Sequence, residues 1–256
     1  MKKLNVAVLG LGEHQLKGIQ TLRKNYNIIG FDFNNFAPGK KFVKKFYNIQ
    51  LNKKKEILEL CYKYGIVKSF AFNTEAPLKT IYYINSKIEK KKINLHHVQN
   101  KYLLRKKLKK NLLPVPKFFI FKNISQLKKL NYPFVVKPVF GSGSRGVFFS
   151  RNYLEFKRLF KKFYFNYKNK KILVEQYLPG TEFAVDGWID KKCNITIGAI
   201  SKKERSKAPN LFDKSLIINY QNKKIKDKLK IYLKILFSVL KIQNQIFHIE
   251  FKYQKN

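Results

Sequence analysis

Residues 134–150 read FVVKPVFGSGSRGVFFS, an apolar β-branched run closing in Lys137-Pro138, a loop of Gly and Ser, and a second apolar run. The pattern predicts a strand, a hairpin loop and a returning strand. Gly141, Gly143 and Gly146 spell G-x-G-x-x-G, but in a dinucleotide fold that motif opens a helix. Here Val147, Phe148 and Phe149 follow, so the context fails. A Walker loop fails as well, because Lys137 precedes the glycines and no G-K-[ST] is present. Two readings remain: an ordinary hairpin with a surface lysine, or a glycine flap whose bare N–H groups lie over phosphates, with Lys137 aimed at the same anion. At ~4 Å and an effective dielectric of ~20, a lysine contributes on the order of 4 kcal/mol per unit of phosphate charge before desolvation is subtracted.

The chain around this hairpin has 256 residues, enough for a sizeable core in one or two domains. Its 45% hydrophobic and 15% aromatic content excludes a disordered chain. A net charge of +40 points toward an anionic partner such as nucleic acid or a membrane surface. Against that, only six of the 55 basic residues are Arg, and Lys is spread over the whole length beside abundant Asn, Ile, Phe and Tyr. All five residue types have codons rich in A and T, so drift in base composition accounts for the charge, and nucleic acid is not expected as a partner. Cys61 and Cys193 lie far apart and form no C-x-x-C, which predicts buried free thiols rather than a disulfide framework or zinc site. The apolar stretch after Lys2-Lys3 meets Glu13-His14 without a small-residue cleavage site, so it reads as a first strand. No apolar run approaches the ~20 residues of a membrane span, and a cytoplasmic protein is expected.

Before the hairpin, residues 4–9 read as a buried strand, 10–12 as a turn, 13–24 as a helix and 27–33 as a second strand ending near Asp32. This β-α-β start resembles a Rossmann unit, but the third glycine of the fingerprint falls on Gln15, which weakens an NAD site. A helix over 53–64 and a strand over 66–72 follow; Asn73, Thr74 and Glu75 end that strand, where open α/β sheets bind ligands. Residues 88–93 are polar and Lys-rich, as a connection between domains would be. His96-His97 are adjacent, point in different directions on a helix, and carry no metal assignment. Further helices are expected over 99–113 and 125–130, with a strand at 118–121 between them. After the hairpin come a helix over 153–167, strands over 171–178, 181–189 and 193–200, a polar loop over 201–213, an apolar segment at 216–220, a helix over 225–240 and a last strand over 247–253.

Taken together these pieces resemble the ATP-grasp superfamily, in particular the ligases related to carbamoyl-phosphate synthase and biotin carboxylase. The likeness rests on Asn100-Lys101 opening a helix that ends in LPVP, on VVKPVFGSGSRGV, on LVEQYLPGTEFAVDG and on the HIEF strand, four motifs in the right order. It implies an α/β and α+β architecture: a Rossmann-like pre-ATP-grasp domain over 1–93, then an ATP-grasp domain over 94–256, divided into 94–173 with the flap and a C-terminal lobe over 174–256. It further implies that Lys101 and Lys137 hold the ATP phosphates under a flap of Gly141, Ser142, Gly143, Ser144 and Gly146. Glu175, with the backbone of Gln176, Tyr177 and Leu178, would read the adenine edge, Glu182 would accept the ribose hydroxyls, and Glu250 would bind Mg2+, which prefers hard oxygens.

The expected activity is an ATP-dependent carboxylate-amine or carboxylate-thiol ligase working through an acylphosphate, with a small carboxylate and an amine or similar nucleophile as substrates. Arg145 and Arg205 are the candidate anion contacts at the acceptor pocket, expected near the 201–213 loop and the ends of the first-domain strands. The family's Glu-x-Asn pair would follow the strand bearing Glu250, yet six residues follow Glu250 here. The expected product is a truncated gene, a decayed copy or half of a split enzyme, with an incomplete C-terminal lobe that is inactive unless a missing segment or a homo-oligomer completes it. Two alternatives stand beside this reading: a non-catalytic nucleotide or polyanion binder, and an NAD enzyme built on the first domain.

Overall fold

The computed structural model describes residues 3–72, 74–90, 96–123, 133–141, 144–167, 171–206, 213–217 and 223–254. The helix expected over 125–130 lies outside the described residues, as do Asn73, Ser142, Gly143, 91–93, 207–212 and 218–220. The chain divides into two compact units, Met1–Leu95 and His96–Asn256.

In the first unit, β1 (Asn5–Leu9) and β2 (Asn27–Asp32) are buried apolar runs that pair in parallel, as strands covered on both faces do. β3 (Lys45–Asn48) and β4 (Ile66–Phe70) complete a parallel sheet of order β3-β2-β1-β4. The crossovers carry α1 (Leu16–Leu22), α2 (Lys54–Lys63) and, after β4, α3 (Leu78–Ile88). One core forms around Leu9, Phe31, Ile57, Cys61 and Ile84, and another around Val6, Val8, Leu11, Ile19 and Ile28.

The second unit opens with α4 (His96–Gln99) and α5 (Lys101–Lys110). The Asn100 side chain caps α5 by accepting from the Leu103 N–H at 3.0 Å. One antiparallel sheet has the order β5-β8-β6-β7, from β5 (Phe118–Ile120), β6 (Phe134–Pro138), β7 (Phe148–Ser150) and β8 (Ile172–Gln176). Phe134 faces Ser150 across the hairpin, the register expected for a strand that returns on itself. α6 (Tyr153–Tyr167) seals one face of this sheet: Phe156, Phe160 and Phe163, at helical spacing, pack on Phe134, Val136, Phe148 and Val174. Alternation then sends Val135, Lys137 and Glu175 to the opposite face.

A second antiparallel sheet, β11-β10-β9-β12, is built from β9 (Thr181–Ile189), β10 (Ile195–Arg205), β11 (Asp213–Ile217) and β12 (Gln245–Tyr253). α7 (Lys223–Leu240) packs Ile225, Leu229, Leu233 and Phe237 on Phe183, Val185, Ile189 and Ile200. The same period-2 rule leaves Glu182, Asp186, Lys203, His248 and Glu250 together on the other face. Two expectations are corrected here. Residues 201–205, taken as loop because KKER is polar, continue β10 and pair with β9 and β11. Of the two cysteines only Cys61 is buried; Cys193 is exposed, in the tight turn whose N–H groups bond back to Asp190. Among the described residues, no helix is long and apolar enough to cross a membrane.

Candidate functional site

The strand register sets Val135 opposite Glu175 and Lys137 opposite Leu173, so Lys137 and Glu175 are diagonal neighbours on the face away from α6. Lys137 forms an ion pair with Glu175 Oε2, while Arg105 Nε on α5 donates to Glu175 Oε1 at 2.7 Å. The Lys137 and Glu175 side chains are only 15% and 6% exposed. Burial pulls the Lys137 ammonium below the usual lysine range, while Glu175 pulls it back. Burial likewise pushes Glu175 upward, and the charges of Lys137 and Arg105 outweigh that and hold it below the ordinary carboxylate range. Two cations around one carboxylate leave this pocket positive.

Lys101 stands at the start of α5, against the end of β6. Its backbone N–H donates to Val139 O at 3.1 Å, which fastens the helix to the end of β6, and its ammonium donates to Gly141 O at the root of the flap. The far root is fixed at Gly146, which has φ +71 and lies under the Tyr167 ring, where an added Cβ would come within 2.5 Å of the ring. Only glycine meets both conditions without strain. Ser144 and Arg145 lie in the turn leading to Gly146, with Arg145 exposed.

Between the two sheets of this unit the chain runs through Gln176, Tyr177 and Leu178. The Gln176 and Tyr177 N–H groups donate to Lys117 O and Pro133 O at 2.8 and 2.9 Å. Among the described residues, no acceptor lies on the Leu178 N–H. Lys252 donates to Leu178 O at 2.9 Å and sits 4.2 Å over the Tyr177 ring.

On the open face of the second sheet, Lys203, 4% exposed, forms an ion pair with Glu250 and stands 3.9 Å from Glu182. His248 Nδ1 lies 2.8 Å from Asp186 Oδ1, and Nε2 lies 3.7 Å from Glu250, an ion-pair distance rather than a hydrogen bond. Asp186, followed by Glu250, raises the imidazole to about 9. The His248 ring, with Lys203, holds the Glu250 carboxyl down at about 2 despite partial burial. Arg205 ends β10 opposite Asp213.

Glu250 is thus an ionised hard-oxygen donor at neutral pH. Among the described residues no group of three or more His, Cys, Asp or Glu could hold a metal ion. That donor set fits Mg2+ only in the manner the ion prefers, one carboxylate with phosphates and water completing the shell. Arg105, Lys203 and His248 are the functional candidates that motif reading passes over. The i, i+4 spacing of Lys101 and Arg105, and the i, i+2 spacing of His248 and Glu250, are the sequence signals that place each pair on one face.

In the first unit the acid at the end of β2 is already committed. Asp32 accepts from the Leu11 N–H at 2.6 Å and from the Asn34 N–H at 2.8 Å. Gln15 covers the turn: an added Cβ at Gly10 would come 2.3 Å from its side-chain nitrogen, and its carbonyl accepts from the Phe72 N–H at 2.9 Å. A dinucleotide needs the glycine turn open to pyrophosphate and the acid free for ribose, so this arrangement argues against an NAD enzyme. Thr74 is half-buried and Glu75 exposed just beyond β4.

Residues 130–256 match the family profile of the ATP-grasp domain. These residues belong to the ATP-grasp superfamily. A search of curated protein sequences found no match. Among solved structures, the chain is similar to an L-amino acid ligase from Bacillus licheniformis, with TM-score 0.80 and 21% identity, over 100% of this chain and 65% of that one. It is also similar to N5-carboxyaminoimidazole synthetase from Staphylococcus aureus complexed with ADP, with TM-score 0.78 and 18% identity, over 98% of this chain and 67% of that one. The biotin carboxylase domain dimer of Hydrogenobacter thermophilus 2-oxoglutarate carboxylase, in complex with MgADP, ADP and bicarbonate, gives TM-score 0.74 and 16% identity, over 96% of this chain and 60% of that one. The chain thus spans about two thirds of the length of these structures, 60% to 67%.

Proposed function

We propose that the protein binds ATP with Mg2+ and serves ATP-dependent carboxylate-amine or carboxylate-thiol ligation of the kind carried out by carbamoyl-phosphate synthase-like ATP-grasp enzymes. The observation that carries this reading is the buried Lys137, held by Glu175 beside Arg105, two cations on one carboxylate, with Lys101 fastened at the flap root. Lys101, Lys137 and the flap hold the phosphates. The Leu178 N–H is the hinge donor for an adenine ring nitrogen, while Glu175, with both oxygens in ion pairs to Lys137 and Arg105, stands on the phosphate side. Glu182 accepts the ribose hydroxyls, and Glu250 is the protein's metal carboxylate. The two unpaired thiols fit a reducing cytoplasm.

In the first step a carboxylate oxygen attacks the γ-phosphorus. The new C–O–P bond forms, the bridging β–γ bond breaks, and ADP leaves with the electron pair. An amine or thiol(ate) then attacks the acyl carbon and phosphate departs with its pair, the surplus proton going to phosphate or water. No side chain becomes covalently attached; Lys137, Lys101 and the flap position the γ-phosphate in line and exclude water. Bound Mg2+ offsets charge on the transferring phosphoryl group. Arg145 and Arg205 are the proposed anion contacts for the acid. The test is acylphosphate trapping: with ATP, Mg2+, hydroxylamine and a panel of amino and keto acids, one acid should give its hydroxamate together with equal ADP. ADP release independent of every acid would contradict a ligase.

The metal role has its own readout in His248. Its imidazole should titrate by NMR near pH 9, and adding Mg2+ to the ATP-saturated protein should lower that midpoint, because a dication on Glu250 opposes a neighbouring imidazolium. A midpoint that does not move would place the metal elsewhere. The raised value also means that the stabilisation from protonated His248 is complete below about pH 6.5 and is lost as pH rises through about 9. With its side chain 57% exposed, solvent screening keeps that contribution small.

A further inference from the structure

Arg105 is the one cation of the cradle without a role so far. It lies one helical turn beyond Lys101, so both project from the same face of α5. Its side chain is 27% exposed, and Nε binds Glu175 Oε1 at 2.7 Å, while Glu175 Oε2 belongs to Lys137. A carboxylate with a lone ammonium partner can rotate and embrace it with both oxygens, which withdraws the cation from any incoming anion. A planar guanidinium on one oxygen prevents that rotation and fixes the carboxylate plane. We propose that Arg105 is a positioning residue: by holding one oxygen of Glu175, it makes the other present Lys137 to the phosphates of a bound nucleotide. The proposal rests on the nucleotide-cradle reading above.

The test compares ATP with adenosine, which has the base and ribose but no phosphate for Lys137. ATP is measured by calorimetry and adenosine by saturation-transfer NMR, for the full chain, Arg105→Gln, Arg105→Lys, and Arg105→Gln combined with Lys137→Met. Arg105→Gln should weaken ATP about tenfold, the low end for a charged hydrogen bond, and leave adenosine unchanged. Arg105→Lys, which keeps the charge but not the fork, should recover only part of the loss. In the Lys137→Met background the Arg105 substitution should have no further effect, since the two act as one unit. If ATP and adenosine weaken alike, Arg105 only supports the fold and the proposal fails. It fails too if the ATP loss persists in full without Lys137, because Arg105 would then touch the phosphates directly. Should Arg105→Gln not fold, the ATP-to-adenosine ratio of Arg105→Lys decides in the same way. A parent chain that binds neither ligand overturns the nucleotide reading itself, a failure seen without any variant.

Discussion

Replacing Lys137 by Ala should weaken ATP binding by about 1.5–3 kcal/mol, the range for a hydrogen bond to a charged group, which is roughly ten- to a hundred-fold in Kd. The magnitude follows from burial. The ammonium is 15% exposed, on the sheet face opposite the α6 core, where an ion pair is screened far less than at the surface. Glu175 stays ionised in the variant because Arg105 remains at Oε1, so the pocket turns from net positive to neutral at the moment it must receive phosphates. Titration calorimetry reads the change directly. An ATP affinity unchanged by the substitution would remove Lys137 from the phosphate site and return the hairpin to an ordinary surface turn.

Glu175→Gln should have the larger structural effect, since it leaves two partly buried cations facing each other. Breaking a buried pair by removing one partner costs about 3–5 kcal/mol, and the denaturant midpoint should fall accordingly. The substitution should also make ATP binding depend on pH. Burial already lowers the Lys137 ammonium, and Glu175 is the group that opposes this. Without Glu175, Lys137 loses its proton at lower pH, so the affinity of the variant for ATP should fall as pH rises through that lowered value while the parent still binds. Parallel affinity profiles for the two proteins between neutral and alkaline pH would mean that Glu175 does not set the charge of Lys137.

Periodicity made the scaffold legible. The helix at Tyr153–Tyr167 and the strand at Thr181–Ile189 stand where their Phe spacing and apolar alternation put them. The hairpin from β6 to β7 follows from two β-branched and aromatic runs around a Gly-Ser loop. β3 was not legible: Lys45–Asn48 is a short edge strand, half-buried at its centre and exposed at its ends, without the alternation of a core strand. The continuation of β10 to Arg205 was hidden for the opposite reason. The open face of this sheet carries Glu182, Asp186, Lys203, His248 and Glu250 and is polar, so KKER reads as loop although it pairs on both sides.

The residues of the proposed cradle stand in recognisable motifs, but their partners were not legible. In a chain with 55 basic residues the composition hides Arg105 and Lys203, and no local pattern says which lysine meets which carboxylate across a sheet. The register supplies that answer, by setting Lys203 opposite Glu182 and His248 opposite Asp186. Asp32 shows the reverse case. Its place at the end of β2 resembles the acid of a Rossmann unit until the loop N–H groups that occupy it are seen.

Thermal unfolding of the 256-residue chain with ATP, with and without Mg2+ and beside GTP and NADH, tests the nucleotide cradle most directly. Stabilisation grows as RT ln(1 + [L]/Kd), so ATP at about 100 Kd should add ~2.7 kcal/mol. ATP should give a clear upward shift, GTP a smaller one and NADH none. A folded chain whose midpoint ATP leaves unmoved, or one that NADH stabilises instead, would contradict the nucleotide cradle.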